Sequence, residues 1–244
     1  MKKYFQAPWQ LRDFILVLLS ALTLFLLVTL GFHLSGVNLD SVEGPAKSII
    51  TTLGLILQWL IFLIPLLVLT CSKYKLNWKA FGFRKIKVQT AIKYILLGYF
   101  FYFFVSVTIA GILLKYGLEV PGYQQSEPIL PMFGQDKLSL IIAGISVVFI
   151  GPLIEEILFR GFLLRTFANK FGLWWGSIAS AFLFTILHYP WTSVIPIFFL
   201  ALIMNYMVIR TKSVVTSLSF HIFNNSIAFT LQMLIMSGYV SIQV

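Results

Sequence analysis

The sequence predicts an all-α, polytopic membrane helix bundle. The chain is 59% hydrophobic and only 11% charged, with a mean hydropathy of +0.93. Apolar runs of about 20 residues, the length that crosses a bilayer, alternate with short basic loops. With 244 residues there is room for six to eight such helices and for no sizeable soluble domain. Seven are expected.

The N-terminal stretch is basic and leads into an apolar run, Phe14–Phe32. That run is too long for a signal peptide and lacks a small-residue cleavage site, so it reads as the first span. A loop with Asp40, Glu43 and Lys47 and a Gly44-Pro45 turn precedes the second span, Ser48–Thr70, which tolerates Pro65 because neighbouring helices can satisfy the freed carbonyl. Next comes the strongest topology marker: Lys73, Lys75, Lys79, Arg84, Lys85, Lys87 and Lys93, with no acidic residue among them. By the positive-inside rule this loop is cytoplasmic, and Trp78 and Phe81–Phe83 between the charges place part of it in the headgroup layer.

The third span is the aromatic-rich Tyr94–Leu114. The loop after it carries Pro121, Pro128 and Pro131 and is expected outside. A fourth span starts at Leu138 and ends near Arg165 and Lys170. The fifth runs from about Gly172 to Tyr189, with Trp174 and Trp175 in the interface and the helix proper beginning nearer Gly176. The sixth is Ser193–Ile209, and the seventh runs from Ser213 to about Met236. Every segment then assigned to the cytoplasm is basic, which puts the N-terminus inside and fits a multi-pass protein of the plasma (cell) membrane. The net charge of +10 is thus spent on topology, and no nucleic-acid partner is expected. The lone Cys71 excludes an intramolecular disulfide.

Gly151 to Arg165, GPLIEEILFRGFLLR, departs from this pattern. Three charges inside an apolar span would cost on the order of 8–10 kcal/mol before pairing. At about 100° per residue Glu156 and Arg160 share a helix face and can pair, whereas Glu155 points roughly 140° away and is left for other chemistry. Taken alone, the cluster is equally well read as a structural ion pair with a spare acid. Two of the three histidines also fall within spans: His188 ends the fifth, and His221 lies one turn before Asn225 on the seventh. A carboxylate, two imidazoles and an amide are the parts needed to activate a water and hold an oxyanion.

Glu155-Glu156-x-x-x-Arg160, then Phe184-x-x-x-His188, then His221-x-x-x-Asn225, in that order and each within an expected span, resemble the CPBP (Abi) family of intramembrane proteases. That family includes the CAAX prenyl endopeptidase. The resemblance covers roughly Leu138 to Thr230, so the chain divides into residues 1–137 with the first three spans and a protease-like core at 138–237, one integral membrane domain in all. It implies an intramembrane endopeptidase acting on a membrane-anchored or prenylated protein or peptide. Glu155 would be the general base, Glu156 and Arg160 its supporting pair, and His188, His221 and Asn225 the groups holding the water and the oxyanion. The family is labelled metalloprotease, which implies Zn2+ on His188, His221 and Glu155; without an HExxH motif, a metal-free glutamate mechanism stands beside it. The alternatives are a non-catalytic immunity or regulatory protein of the same fold and a proton-coupled transporter. The transporter lacks the expected inverted repeat.

Overall fold

Every regular element among the described residues is helical. The computed structural model describes residues 2–36, 42, 45–118, 133, 136–188 and 193–237. Asp40, Glu43 and Gly44 of the first expected outer loop, Pro121, Pro128 and Pro131 of the second, and the stop at Tyr189-Pro190 lie outside those residues.

In chain order the helices are α1 (Lys2–Phe5), α2 (Leu11–Ser35), α3 (Pro45–Leu67), α4 (Val88–Tyr116), α5 (Lys137–Gly144), α6 (Gly151–Glu156), α7 (Leu164–Ile186), α8 (Val194–Thr211) and α9 (Val214–Met236). A π turn, Val68–Ser72, extends α3, and a 3-10 turn, Trp78–Phe81, precedes α4. Helices α5, α6 and α7 follow one another in the chain without a loop, linked by π turns at Ile145–Ile150 and Ile157–Leu163. Five helical stretches are long and apolar enough to cross a membrane: Leu11–Ser35, Ala46–Ser72, Val88–Tyr116, Lys137–Ile186 and Val194–Thr211. Helix α9 falls just short, because Ser217, Ser219, His221, Asn224 and Asn225 dilute its apolar residues. The protein is an integral membrane protein built as a polytopic helical bundle.

The 50-residue stretch from Lys137 to Ile186 is not one straight span. Gly172 breaks it at φ 81° and ψ 168°, a left-handed region that only glycine enters without cost. The chain then doubles back. A Cβ on Gly176 would lie 2.5 Å from the Ala168 nitrogen, and the Ser180 hydroxyl donates to the Phe159 carbonyl at 3.3 Å, as two antiparallel arms require. The break thus falls where the sequence separates the fourth and fifth spans. The helix of the fourth span runs past Arg165 and breaks at Gly172, two residues after Lys170. Arg165 is buried inside the helix and donates to the carbonyls of Ala80 and Tyr4. A guanidinium needs several acceptors once it leaves water, and here the N-terminal segment and the 3-10 turn supply them. Trp174 and Trp175, just past the break, are 84% and 70% exposed, which suits residues at a membrane interface.

The chain divides into two compact units. One comprises Met1–Pro8, Trp78–Glu127 and Glu155–Asn224. Its apolar core gathers Tyr4, Phe5, Leu164, Ala168, Val208 and Val214, and Gly82, at φ 90°, leaves room for the Tyr4 hydroxyl where a Cβ would collide with it at 2.4 Å. The guanidinium groups of Arg84 and Arg165 lie 4.8 and 4.9 Å from the centroid of the Tyr4 ring. The other unit comprises Trp9–Asn77, Pro128–Ile154 and Asn225–Val244. In it Phe133 and Ala143 pack with Leu55, Val147, Phe229 and Met233, and the fully buried carboxylate of Asp13 accepts from Lys73, from the Tyr74 hydroxyl at 2.7 Å and from the Gln10 nitrogen at 2.7 Å.

Candidate active site

The glutamate pair splits as its spacing predicts. Glu156 is fully buried and pairs with Arg160 one turn later, Oε1 to Nη1 at 2.9 Å. Glu155 keeps its side chain 27% exposed and does not join that pair. The two neighbours occupy different environments because adjacent residues on a helix cannot face the same way. The π turn that begins at Ile157 was not anticipated. It follows the glutamates directly, and such turns are frequent at functional sites.

The hairpin brings the first histidine in. Glu155 stands almost as many residues before Gly172 as His188 stands after it, so antiparallel arms set the two level. His188 follows the last turn of α7, and its Nδ1 lies 2.6 Å from the Phe184 carbonyl oxygen. Its Nε2 lies 3.6 Å from Glu155 Oε2. His221 arrives from α9, with Nδ1 3.2 Å from Glu156 Oε1 and Nε2 3.7 Å from Glu155 Oε2.

These partners define the imidazoles chemically. A carbonyl and a carboxylate only accept, so each neutral ring carries its proton on Nδ1 and turns the Nε2 lone pair outward. Both Nε2 atoms approach one oxygen, Glu155 Oε2, which is buried and has no hydrogen-bond partner among the described residues. At 3.6 and 3.7 Å the nitrogens are too far for direct hydrogen bonds. Three acceptors facing one another are stabilised by a shared donor, and a water has two O–H bonds to give.

The donor types also suit zinc, and the Nδ1 anchors are the outer-shell contacts that ligating histidines make. As placed, however, the donors do not gather into a cage. Among the described residues no three His, Cys, Asp or Glu side chains form a group that could hold a metal ion.

Phe184 is the packing centre of the site. It is 1% exposed, its ring lies 4.1 Å from that of His188, and the Arg160 guanidinium stacks on it at 4.4 Å. Glu155, Glu156, Arg160, His188 and His221 therefore come together as the sequence predicts. Asn225 lies one turn beyond His221 on α9, and its side-chain amide donates to the Val147 carbonyl at 3.0 Å. Two residues of the surrounding network escaped the sequence reading. Asn205 accepts from Arg160 Nε at 3.2 Å, and the Ser217 hydroxyl donates to Glu156 Oε2. For Asn205 a signal existed, an amide in the middle of an otherwise apolar helix. Ser217 looks like any small polar residue of a membrane helix.

Fold and site define the class: a polytopic helical membrane protein with an acid–imidazole constellation among buried polar groups. Residues 137–227 match the family model described as Type II CAAX prenyl endopeptidase Rce1-like, and the three motifs all fall within that stretch. No curated protein and no solved structure matches the chain.

Proposed function

We propose that the protein is a glutamate-dependent endopeptidase that hydrolyses a peptide bond in a membrane-anchored, prenylated protein or peptide. The observation that carries this reading is the convergence of both imidazole Nε2 atoms on Glu155 Oε2. A water between them gives one O–H to Glu155 and the other to an imidazole. As its oxygen attacks the scissile carbonyl carbon, Glu155 takes a proton. The carbonyl becomes a tetrahedral oxyanion, which Asn225, one turn beyond His221, serves as donor by the family resemblance. When the carbon–nitrogen bond breaks, the proton on Glu155 passes to the leaving amine and the new carboxyl group stays with the other fragment. No serine or cysteine nucleophile is needed.

Zinc on Glu155, His188 and His221 is the second reading, favoured by the Nδ1 anchors of both histidines. When bound, zinc would supply Lewis-acid activation of the same water. Metal analysis of purified protein separates the two. In the metal-dependent case His188→Ala and His221→Ala each lower the bound metal, and chelation stops turnover reversibly. In the glutamate-only case chelation has no effect and the two variants lower the rate alone. The basic loops support a cytoplasmic N-terminus in the cell membrane, with the site served from within the bilayer.

The direct test is cleavage of a farnesylated peptide ending in Cys-a-a-X by wild type beside Glu155→Gln, with a non-prenylated membrane peptide as control. The amide keeps the shape but cannot take the proton, so cleavage should vanish while the protein stays folded in detergent. More than about a few per cent of wild-type turnover in this variant would overturn the base assignment. A wild type that cleaves neither peptide would favour a non-catalytic immunity or regulatory role.

A further inference from the structure

We infer that Ser217 and Asn205 are positioning residues, which lock the Glu156–Arg160 pair so that His221 presents its Nε2 lone pair to Glu155. The inference rests on the proposed glutamate mechanism. Neither residue belongs to the three motifs, and neither touches Glu155.

The geometry is a chain of single-purpose contacts. Glu156 Oε1 accepts from Arg160 Nη1 at 2.9 Å and from His221 Nδ1 at 3.2 Å. Its second oxygen, Oε2, accepts from the Ser217 hydroxyl. Ser217 also lies 3.0 Å from the Val214 carbonyl in its own helix. The hydroxyl has one proton for two acceptors, and the carboxylate is the stronger. On the other side Arg160 spreads its donors: Nε to Asn205 Oδ1 at 3.2 Å, Nη2 to the Ala201 carbonyl at 3.4 Å. Asn205 is oriented in turn by its amide nitrogen, which donates to the Ser177 carbonyl at 2.9 Å. Glu156, Arg160, Asn205 and Ser217 all have 0% exposure, so water is not available to replace a lost partner.

The consequence concerns a soft torsion. A glutamate carboxylate turns easily about its last bond, and Ser217 holds one oxygen so that the other stays opposite His221 Nδ1. Asn205 fixes the plane of the guanidinium that holds the same oxygen. Without the clamp, His221 is free to carry its proton on Nε2 instead, and the ring then turns a donor toward Glu155 where the mechanism needs a lone pair. The fault would appear in turnover rather than in substrate binding.

The test uses full-length protein in detergent, with Ser217→Ala, Ser217→Cys, Ser217→Thr and Asn205→Ala beside wild type. One readout is the 15N spectrum of labelled histidine, assigned with a His33→Gln and a His188→Gln variant, and the other is cleavage of the farnesylated peptide. Wild-type His221 should show a protonated Nδ1 and a bare Nε2. Ser217→Ala, and Ser217→Cys with its weak thiol donor in nearly the same volume, should populate the other tautomer. Both should lower kcat by about 10–100-fold, the range for partners that orient a functional histidine, with KM within about twofold. Ser217→Thr should restore most of the rate, and Asn205→Ala should shift the tautomer in the same direction. A wild-type His221 spectrum in both Ser217→Ala and Ser217→Cys would overturn the inference whatever the peptide assay gives. So would a threonine variant as slow as the alanine one. Activity surviving Glu155→Gln would instead sink the mechanism, and an inactive Glu155→Gln beside a fully active Ser217→Cys sinks the positioning role alone.

Discussion

Helices α2 and α8 are both apolar enough to cross a membrane, yet they use their residues in opposite ways. Of its 25 residues α2 buries Asp13, Val17 and Ala21, while Leu16, Leu19, Leu22, Phe25, Leu26 and Leu27 stand exposed. Helix α8, with 18 residues, buries Leu200, Ala201, Met204, Asn205, Met207 and Val208. Water would not tolerate the exposed face of α2, and lipid does. Hydropathy therefore reports the solvent of a membrane helix, while burial reports what the helix is for. The buried polar side chain of α2, Asp13, lies in its first turn, where Lys73 and Tyr74 meet it. Its counterparts in α8 lie mid-helix, in the network that holds Arg160.

The contrast breaks most visibly at Arg160. Arg160→Leu leaves the Glu156 carboxylate buried without its cation, at a cost of about 3–5 kcal/mol. The double variant Glu156→Gln/Arg160→Leu should regain part of the melting temperature and none of the activity. A double that melts as low as the worse single would show that pairing is not what the two residues contribute.

Packing gives the next largest effect. In Gly176→Ala the new Cβ meets Ala168 backbone atoms at 2.5 and 2.7 Å, and backbone cannot swing aside, so a loss of about 1–3 kcal/mol is expected. Gly98→Ala in α4 puts its Cβ 2.2 Å from Met207 Cε, the tip of a flexible chain that can re-seat, at a cost below about 1.5 kcal/mol. Thermal melts of the two variants side by side check the order.

A smaller effect is expected at the entrance to α5. Asp136 caps that helix, accepting from the Leu138 and Ser139 nitrogens at 3.1 Å each. The Ser139 hydroxyl first, and these backbone groups after it, hold its carboxyl below the usual aspartate range. A lowered folded value means the cap's contribution is complete above about pH 4 and fades as pH falls through that lowered value. The melting gap between wild type and Asp136→Ala should accordingly narrow only in strong acid, and a gap independent of pH would argue against the charged cap. The smallest change belongs to the lipid face. Leu26→Val, at a residue 57% exposed on α2, should move stability by no more than about 0.5 kcal/mol.

Much of this was legible in the residues. Charge in an apolar run is costly enough to announce itself, which is why Glu155, Glu156 and Arg160 stood out, and helical spacing alone separated the paired glutamate from the unpaired one. Arg165 shows what such a reading leaves out. A basic residue after an apolar run reads as the end of a span, and only the structure supplies the Ala80 and Tyr4 carbonyls that let it go inside. Ser217 carries no such cost, so nothing in the pattern marks it. The π turns are equally silent, because their wider winding follows from packing and leaves no composition behind.

Those turns bear on chain length. A π turn seats more residues per turn than an α-helix, so Ile157–Leu163 amounts to a helix that has accepted an insertion without breaking. The effect of a deletion in this helix therefore depends on the kind of turn it falls in. Removing one residue from the turn would let it rewind as an ordinary α-helix with its flanks nearly in place, whereas removing one from an α-helical turn would rotate everything after the cut by roughly 100° about the axis. A deletion in the α-helical turns between Leu164 and Gly172, unremarkable in composition, would thus turn the residues after the cut away from Glu155, where the same deletion in the π turn would not.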